Sequence, residues 1–146
     1  MHAENSFAMF YAAIFTKRMA TEMIIAAIFQ WLFGALWYGV IVRNSWKKLV
    51  GIPEGVKPKN RIFGLIASLL ACLMLSFALV HLVLWTGLTT FTAGARIGIL
   101  CWVGFIAPPL LAQHIFENRR VNLFAINACY WLLAMVLAGG IIAGLH

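Results

Sequence analysis

Four long apolar blocks separated by short polar breaks dominate the hydrophobic pattern of this chain. They predict membrane-spanning helices at about residues 23–42, 62–86, 95–116 and 123–145. Each block approaches the roughly 20 residues that a helix needs to cross about 30 Å of hydrocarbon. A helix also satisfies its own backbone polar groups, which lipid cannot do. Alternation with period two, the mark of a membrane barrel, is absent. The pattern therefore predicts an all-α integral membrane four-helix bundle.

The first 22 residues differ from the rest and are predicted to form a separate N-terminal arm, with residues 23–146 as the four-helix domain. Residues 6–18 contain an apolar run too short to span, which favours a short interfacial helix over these residues. The basic residues follow this run, the reverse of their order in a signal peptide. Thr21 is predicted to cap a helix that begins at Glu22. A docking arm for a partner protein is the alternative interpretation.

Composition agrees with a lipid environment. Hydrophobic residues make up 64% of the chain and charged residues 10%, against about 45–50% and 25% in soluble domains. The net charge of +7 is a poor sign of nucleic-acid binding, because the basic residues lie in short segments beside the spans. There they meet anionic lipid. The predicted partners are the bilayer, with bound lipid, and other membrane chains or further copies of this one, and not nucleic acid.

The distribution of basic residues predicts the orientation. The first and third loops, residues 43–61 and 117–122, carry eight Lys and Arg, and the other side carries three. The positive-inside rule therefore places these two loops in the cytoplasm and both termini outside.

Small residues recur at helical spacing in every span and predict close helix packing within one bundle. In the second span the face comprises Gly64, Ala67, Ala71, Met74, Ala78 and His81. In the third it comprises Gly94, Gly98, Cys101, Phe105, Pro108 and Ala112. The three cysteines lie in three different spans without a CxxC pair. We expect buried free thiols that behave as small hydrophobes, with neither a disulfide nor a zinc site.

Polar side chains within the spans are candidate binding positions. They are Gln30, His81, Gln113, His114, Glu117 and the neutral Asn127. Gln30 and His81 lie at similar depth, so a hydrogen bond between them is expected. His81 and His114 fall near opposite ends of their spans, about 20 Å or more apart. They therefore cannot share a metal ion or bracket one haem.

A second polar group is predicted at the cytoplasmic end. His114 and Glu117 are three residues apart on one side of a helix end, and Asn127, Trp37 and Tyr38 enter at comparable depth. One His and one carboxylate are too few for zinc, so no metal is predicted. In the structural interpretation His114 bonds helix carbonyls, Glu117 pairs with Arg119 or Arg120, and Asn127 bridges helices. A binding or proton-handling role is the alternative.

Pro108 and Pro109 interrupt the third predicted span. They remove the hydrogen bonds that would end on the carbonyls of Gly104 and Phe105, which predicts a kink. The freed carbonyls are available to an ion or substrate, or to a neighbouring side chain or water.

Five segments in order resemble the domain of unknown function 1761 family of small bacterial membrane proteins. They are GALWYG, SWKKLVGI, FALVHLVL, LCWVGFIAPPLLAQHIFENR and LFAINACYWLL, and the resemblance runs from about residue 24 to 145. It implies four transmembrane helices in a bacterial inner membrane and no established activity. The matching polar and aromatic positions are Trp37, Tyr38, His81, His114, Glu117, Asn127 and Trp131.

These observations predict a non-enzymatic subunit or scaffold of a membrane assembly. An oligomeric transporter or channel for a small solute, ion or proton is the alternative. The sequence offers no nucleophile with an orienting base and no glycine-rich phosphate loop, so neither catalytic residues nor a cofactor are predicted.

Overall fold

The computed structural model describes residues 17–53 and 60–146, and within them the chain is helical without strands. The helices are α1 (Lys17–Leu36), α2 (Arg43–Val50), α3 (Arg61–Thr86), α4 (Phe91–Cys101), α5 (Ala107–Phe116) and α6 (Val121–Leu145). A π turn, Trp37–Ile41, extends α1, and a second π turn, Trp102–Ile106, joins α4 to α5. Four stretches are long and apolar enough to cross a membrane, namely Lys17–Ile41, Arg61–Thr86, Phe91–Phe116 and Val121–Leu145. The prediction of an all-α protein with four spans is confirmed.

Two predicted helix starts fall too late. The first span is helical from Lys17, and the Thr21 hydroxyl donates to the Lys17 carbonyl from inside the helix. The predicted cap at Thr21 is therefore wrong. The third span begins at Phe91 because Thr90 caps it, with the Ala93 amide donating to the Thr90 hydroxyl. Residues 1–16, most of the predicted arm, lie outside the described residues, and the division at residue 22 stays a prediction.

The fourth span lies at the centre of the bundle and contacts the other three. Half of its apolar stretch is buried, against 17% or less for each of the other spans. Small residues allow the fourth span to occupy the centre, because Ala134, Ala138 and Gly139 let the backbones of the neighbouring helices approach. We call the end of the bundle that carries α2, Arg61, Arg119 and Arg120 the basic end.

Close backbone packing joins α4 to α6 away from the basic end. A Cβ atom at Gly94 would collide with the Gly139 carbonyl, and one at Gly98 with the Met135 carbonyl. Only glycine fits at these two positions without moving a backbone. The predicted face of the third span is thus confirmed for Gly94, Gly98 and Cys101, which are buried, and is wrong for Phe105, Pro108 and Ala112, which are exposed.

The small-residue face of the second span behaves differently, and its predicted use within the bundle is wrong. The residues that α3 buries are Cys72, Ser76, Leu79, Val80 and Val83. Gly64, Ala67 and Ala78 are exposed, and a Cβ at Gly64 would meet nothing within 4 Å. At 3.6 residues per turn the two sets lie on roughly opposite sides of the helix. The small-residue face of α3 therefore points to the surroundings of the bundle.

The irregularity that Pro108 and Pro109 predict is present as the second π turn, one turn before them. Both prolines lie at the start of α5, where a missing amide hydrogen costs least. Prolines and π-helical segments are both known causes of helix distortion.

Candidate functional site

The two π turns contact consecutive residues of α6. From the first, the Tyr38 hydroxyl donates to Asn127 Oδ1 at 3.0 Å. From the second, the Trp102 ring nitrogen donates to the Ala128 carbonyl at 3.1 Å. Segments of π-helix are rare and are often found at functional sites. We name these two turns and residues 127–130 of α6 the π-turn site.

Aromatic rings fill the side of this site that faces the first span. The Tyr130 ring lies between those of Phe33 and Tyr38, with centroid separations of 6.0 and 5.1 Å. The Tyr38 ring meets Trp46 of α2 edge-on at 5.5 Å. Edge-on and offset ring contacts are the favoured geometries. The rings therefore stabilise one another and fix α2 against the end of the bundle.

A buried polar chain continues from the site toward the middle of the membrane. The Tyr130 hydroxyl donates to the Gln30 backbone carbonyl at 3.3 Å. The Gln30 side chain is fully buried, accepts from the Ser76 hydroxyl at 3.4 Å and donates to the Ala134 carbonyl at 3.5 Å. Beyond Gln30 the packed residues are apolar, including Ala26, Val83 and Ile142. In the described residues the chain of polar groups thus runs through about half of the bundle.

Family-level comparison gives one finding. The sequence profile of one protein family, described as protein of unknown function (DUF1761), matches residues 21–143 of this chain. The chain belongs to the DUF1761 family. Neither the curated proteins nor the solved structures contain a match to it. Family membership confirms the resemblance and brings no activity, so the site must be interpreted from its geometry.

In this DUF1761 protein, the structure brings some predicted residues together and separates others. Tyr38 and Asn127 meet, and Asn127 bridges two spans as expected. The predicted hydrogen bond between Gln30 and His81 is not formed. His81 Nδ1 instead donates to the Phe77 carbonyl of its own helix at 2.7 Å. Ser76, and not His81, is the residue of the second span that hydrogen-bonds to the Gln30 side chain.

The predicted polar group around His114 divides into two parts. His114 is buried and donates from Nδ1 to the Leu110 carbonyl at 2.9 Å, while its ring packs edge-on against Phe124. Glu117 is exposed, accepts from Gln113 at 2.8 Å and pairs with Arg119 at 2.5 Å. The hydrogen bond from Gln113, and then that from Arg119, lower the pKa of the Glu117 carboxyl. Both contacts agree with the structural interpretation of these residues.

Three buried nitrogens in the spans have no hydrogen-bond partner among the described residues. They are Trp37 Nε1, His81 Nε2 and His114 Nε2. Trp37 packs on Phe33 at the first π turn, and Trp131 packs on Tyr130. No group of three metal-ligating side chains occurs among residues 17–53 and 60–146.

Sequence reasoning missed Tyr130, Ser76 and Trp102, which complete the polar chain and the π-turn site. One signal was available for the π turns. Trp37–Ile41 reads WYGVI and Trp102–Ile106 reads WVGFI, so both follow the pattern Trp-X-Gly-X-Ile. Two of the three cysteines, Cys72 and Cys101, are buried as predicted, whereas Cys129 is exposed.

Proposed function

We propose that this protein is a non-enzymatic subunit that associates with a second copy of itself in the bilayer and so builds a membrane assembly. The observation that carries the proposal is the exposed small-residue face of α3. Membrane helices associate through small residues because lipid offers no hydrophobic effect between them. Gly94 and Gly98 of α4 and Gly139 and Gly140 of α6 are used inside the bundle, whereas Gly64 has open space in front of it.

The shape of α3 favours a second copy as the occupant of this face. Bulky apolar side chains flank the small residues on one side, and they are Phe63, Ile66, Leu70 and Phe77, between 47% and 73% exposed. In a twofold dimer the same patch of both copies meets itself. The ridge of one α3 then packs into the groove of the other.

Most polar side chains predicted as site candidates form hydrogen bonds within the bundle, as expected of a structural subunit. Gln30, Asn127 and Glu117 each have partners in their own or a neighbouring helix. The predicted orientation, with the basic end in the cytoplasm of a bacterial inner membrane, belongs to the same proposal and rests on the positive-inside rule.

Replacing Gly64 and Ala67 by Leu should weaken self-association by about tenfold or more, since the added side chains fill the groove. The measurement is Förster transfer between labelled copies in liposomes, over a series of protein-to-lipid ratios. Gly144→Leu is the matched control, because it adds the same side chain at an open position of the fourth span. A parent protein that stays monomeric throughout the series, or a double variant that associates as the parent does, would refute the proposal.

Transport of a small polar solute or proton is the second candidate, and the paired π turns favour it. Interrupted helices at corresponding positions of two halves of a membrane protein often mark a transport site. Here the first and third spans carry Trp-X-Gly-X-Ile turns that contact adjacent residues of α6. A pathway would use the polar chain from Asn127 to Gln30.

A flux assay in proteoliposomes separates the two candidates. If the polar chain conducts, Asn127→Ala and Gln30→Leu should reduce the flux of protons or small solutes about tenfold, as expected when a transport pathway loses a polar group. Glu117→Gln is the control, because this residue lies outside the chain and is exposed. No flux above that of protein-free liposomes, or equal flux in all variants, would remove transport through this chain.

A further inference from the structure

A basic surface at the end of the bundle is built around α2, and its position is fixed by contacts inside the membrane domain. Trp46 of α2 packs on Tyr38, and Tyr38 bonds to Asn127 of α6. The end of α2 is closed by Gly51, whose left-handed backbone (φ 79°) lets its amide donate to the Lys47 carbonyl at 3.0 Å. The helix is therefore held beside the first turns of α6, with which it is in contact.

Positive charge accumulates on this surface. Arg43 and Lys47 are one turn apart on the same side of α2, and Lys48 follows directly. Arg120 precedes the first residue of α6. Asn127 lies seven residues beyond Arg120, a distance of about 10 Å along the helix. Arg120 thus begins the helix that α2 contacts, and the basic residues of both belong to the same end of the bundle.

Little negative charge offsets these groups in the described residues. Among residues 17–53 and 60–146, Glu117 is the acidic residue at this end, and its two carboxylate oxygens already accept from Gln113 and Arg119. Arg43, Lys48 and Arg120 are exposed and Lys47 is half-buried. An anion with two or more oxygens, such as a phosphate, would accept hydrogen bonds from several of these basic side chains at once. Such charge-assisted bonds are strong and short.

Apolar side chains lie next to the basic residues. Val40 and Ile41 at the end of the first span are 70% and 55% exposed, and Val121 at the start of α6 is 78% exposed. A ligand with an anionic head and a hydrocarbon tail would contact both the basic and the apolar residues of this surface. Trp46 belongs to the same surface, and indole rings favour the membrane interface. Lipid headgroups lie at that interface.

We propose that α2 and Arg120 form a binding site for an anionic phospholipid. The phosphate of the headgroup lies between Lys47 and Arg120, with Arg43 and Lys48 at its edge. The acyl chains run along Val40, Ile41 and Val121. The site selects a negative headgroup over a zwitterionic one, because its charge is not neutralised from within the described chain.

Native mass spectrometry of the purified full chain in neutral detergent tests the site, with phosphatidylglycerol and phosphatidylcholine as probes. Phosphatidylglycerol should bind more tightly, and Lys47→Gln and Arg120→Gln should each weaken it about fivefold. Lys17→Gln and Arg96→Gln make the same changes at exposed positions of the opposite end and should leave the affinity unchanged. Circular dichroism during heating verifies that every variant is folded.

Three outcomes would overturn the proposal. Equal binding of the two lipids would remove headgroup selectivity. Equal weakening by all four variants would mean that net charge, and not this site, attracts the lipid. Full competition by millimolar inorganic phosphate would assign the surface to a free phosphate and not to a lipid. A lipid affinity that falls as the salt concentration rises is expected of any exposed charged surface. It supports this site only if the variants at the basic end also bind the lipid more weakly than those at the opposite end.

Discussion

Gly94→Ala should lower the free energy of unfolding by about 2–3 kcal/mol, the upper part of the range for overpacked interiors. The reason is the identity of the neighbour. The added methyl would meet the Gly139 carbonyl oxygen and the Cβ of Ala143, and a backbone group cannot rotate away as a side chain can. The helices α4 and α6 would have to separate along their length. Reversible unfolding in mixed micelles, followed by circular dichroism, measures the loss.

Gly144→Ala is the matched control for this prediction. It lies on α6 with nothing within 4 Å of the added methyl. Alanine is the better helix former by about 0.5–1 kcal/mol, so this variant should be as stable as the parent or slightly more stable. Similar stability of Gly94→Ala and the parent would contradict the close packing of the two helices.

The second large effect concerns the contact between Gly34 and Tyr130. A methyl group at Gly34 would lie 2.7 Å from the Tyr130 hydroxyl oxygen and 3.2 Å from the ring carbon that carries it. Gly34→Ala should therefore cost about 1–3 kcal/mol of stability. Tyr130→Phe removes the colliding oxygen together with its bond to Gln30, at a cost near 0.6 kcal/mol, the average for such bonds in membranes.

Combining the two changes should restore part of the stability. The double variant should be more stable than the sum of the single effects predicts, by about 0.5–2 kcal/mol, because residues in contact are not additive. Thr86→Val provides the comparison, since it also removes a hydroxyl, one that bonds to the Leu82 and Val83 carbonyls of its own helix. With Gly34→Ala it should be additive within about 0.5 kcal/mol. Additivity in both pairs would mean that Gly34 does not accommodate the Tyr130 hydroxyl.

The number and type of the spans followed from composition and the apolar blocks, because a chain with this share of apolar residues has few ways to satisfy its backbone in lipid. The helix α2 and the two π turns were not predicted. Depth predicted that Tyr38 and Asn127 lie near the same end of their spans, and the structure shows that these two members of the predicted group are hydrogen-bonded. Depth could not distinguish Ser76 from His81 as the partner of Gln30. The choice depends on the rotation of α3 about its own axis, and side chains five residues apart point in directions that differ by about 140°.

Rotation was hard to predict because apolar residues surround these helices on all sides. In a soluble protein the polar face marks the outside, whereas in a membrane both faces are apolar. Small residues gave the strongest directional signal, and it was ambiguous. It marked the buried face of α4 at Gly94 and Gly98, and the exposed face of α3 at Gly64. The same chemistry serves contacts within a chain and between chains.

The central position of the fourth span has a consequence for biosynthesis. This helix is the last of the four to leave the ribosome, yet it supplies the partners of Tyr38 and Trp102 and packs against the glycines of α4. Until Val121–Leu145 enters the bilayer, the first two spans can pair, but the third has no glycine-lined neighbour. Assembly of the tertiary structure is therefore deferred until the fourth span has been synthesised, and an insertion factor or surrounding lipid must cover the three earlier helices until then.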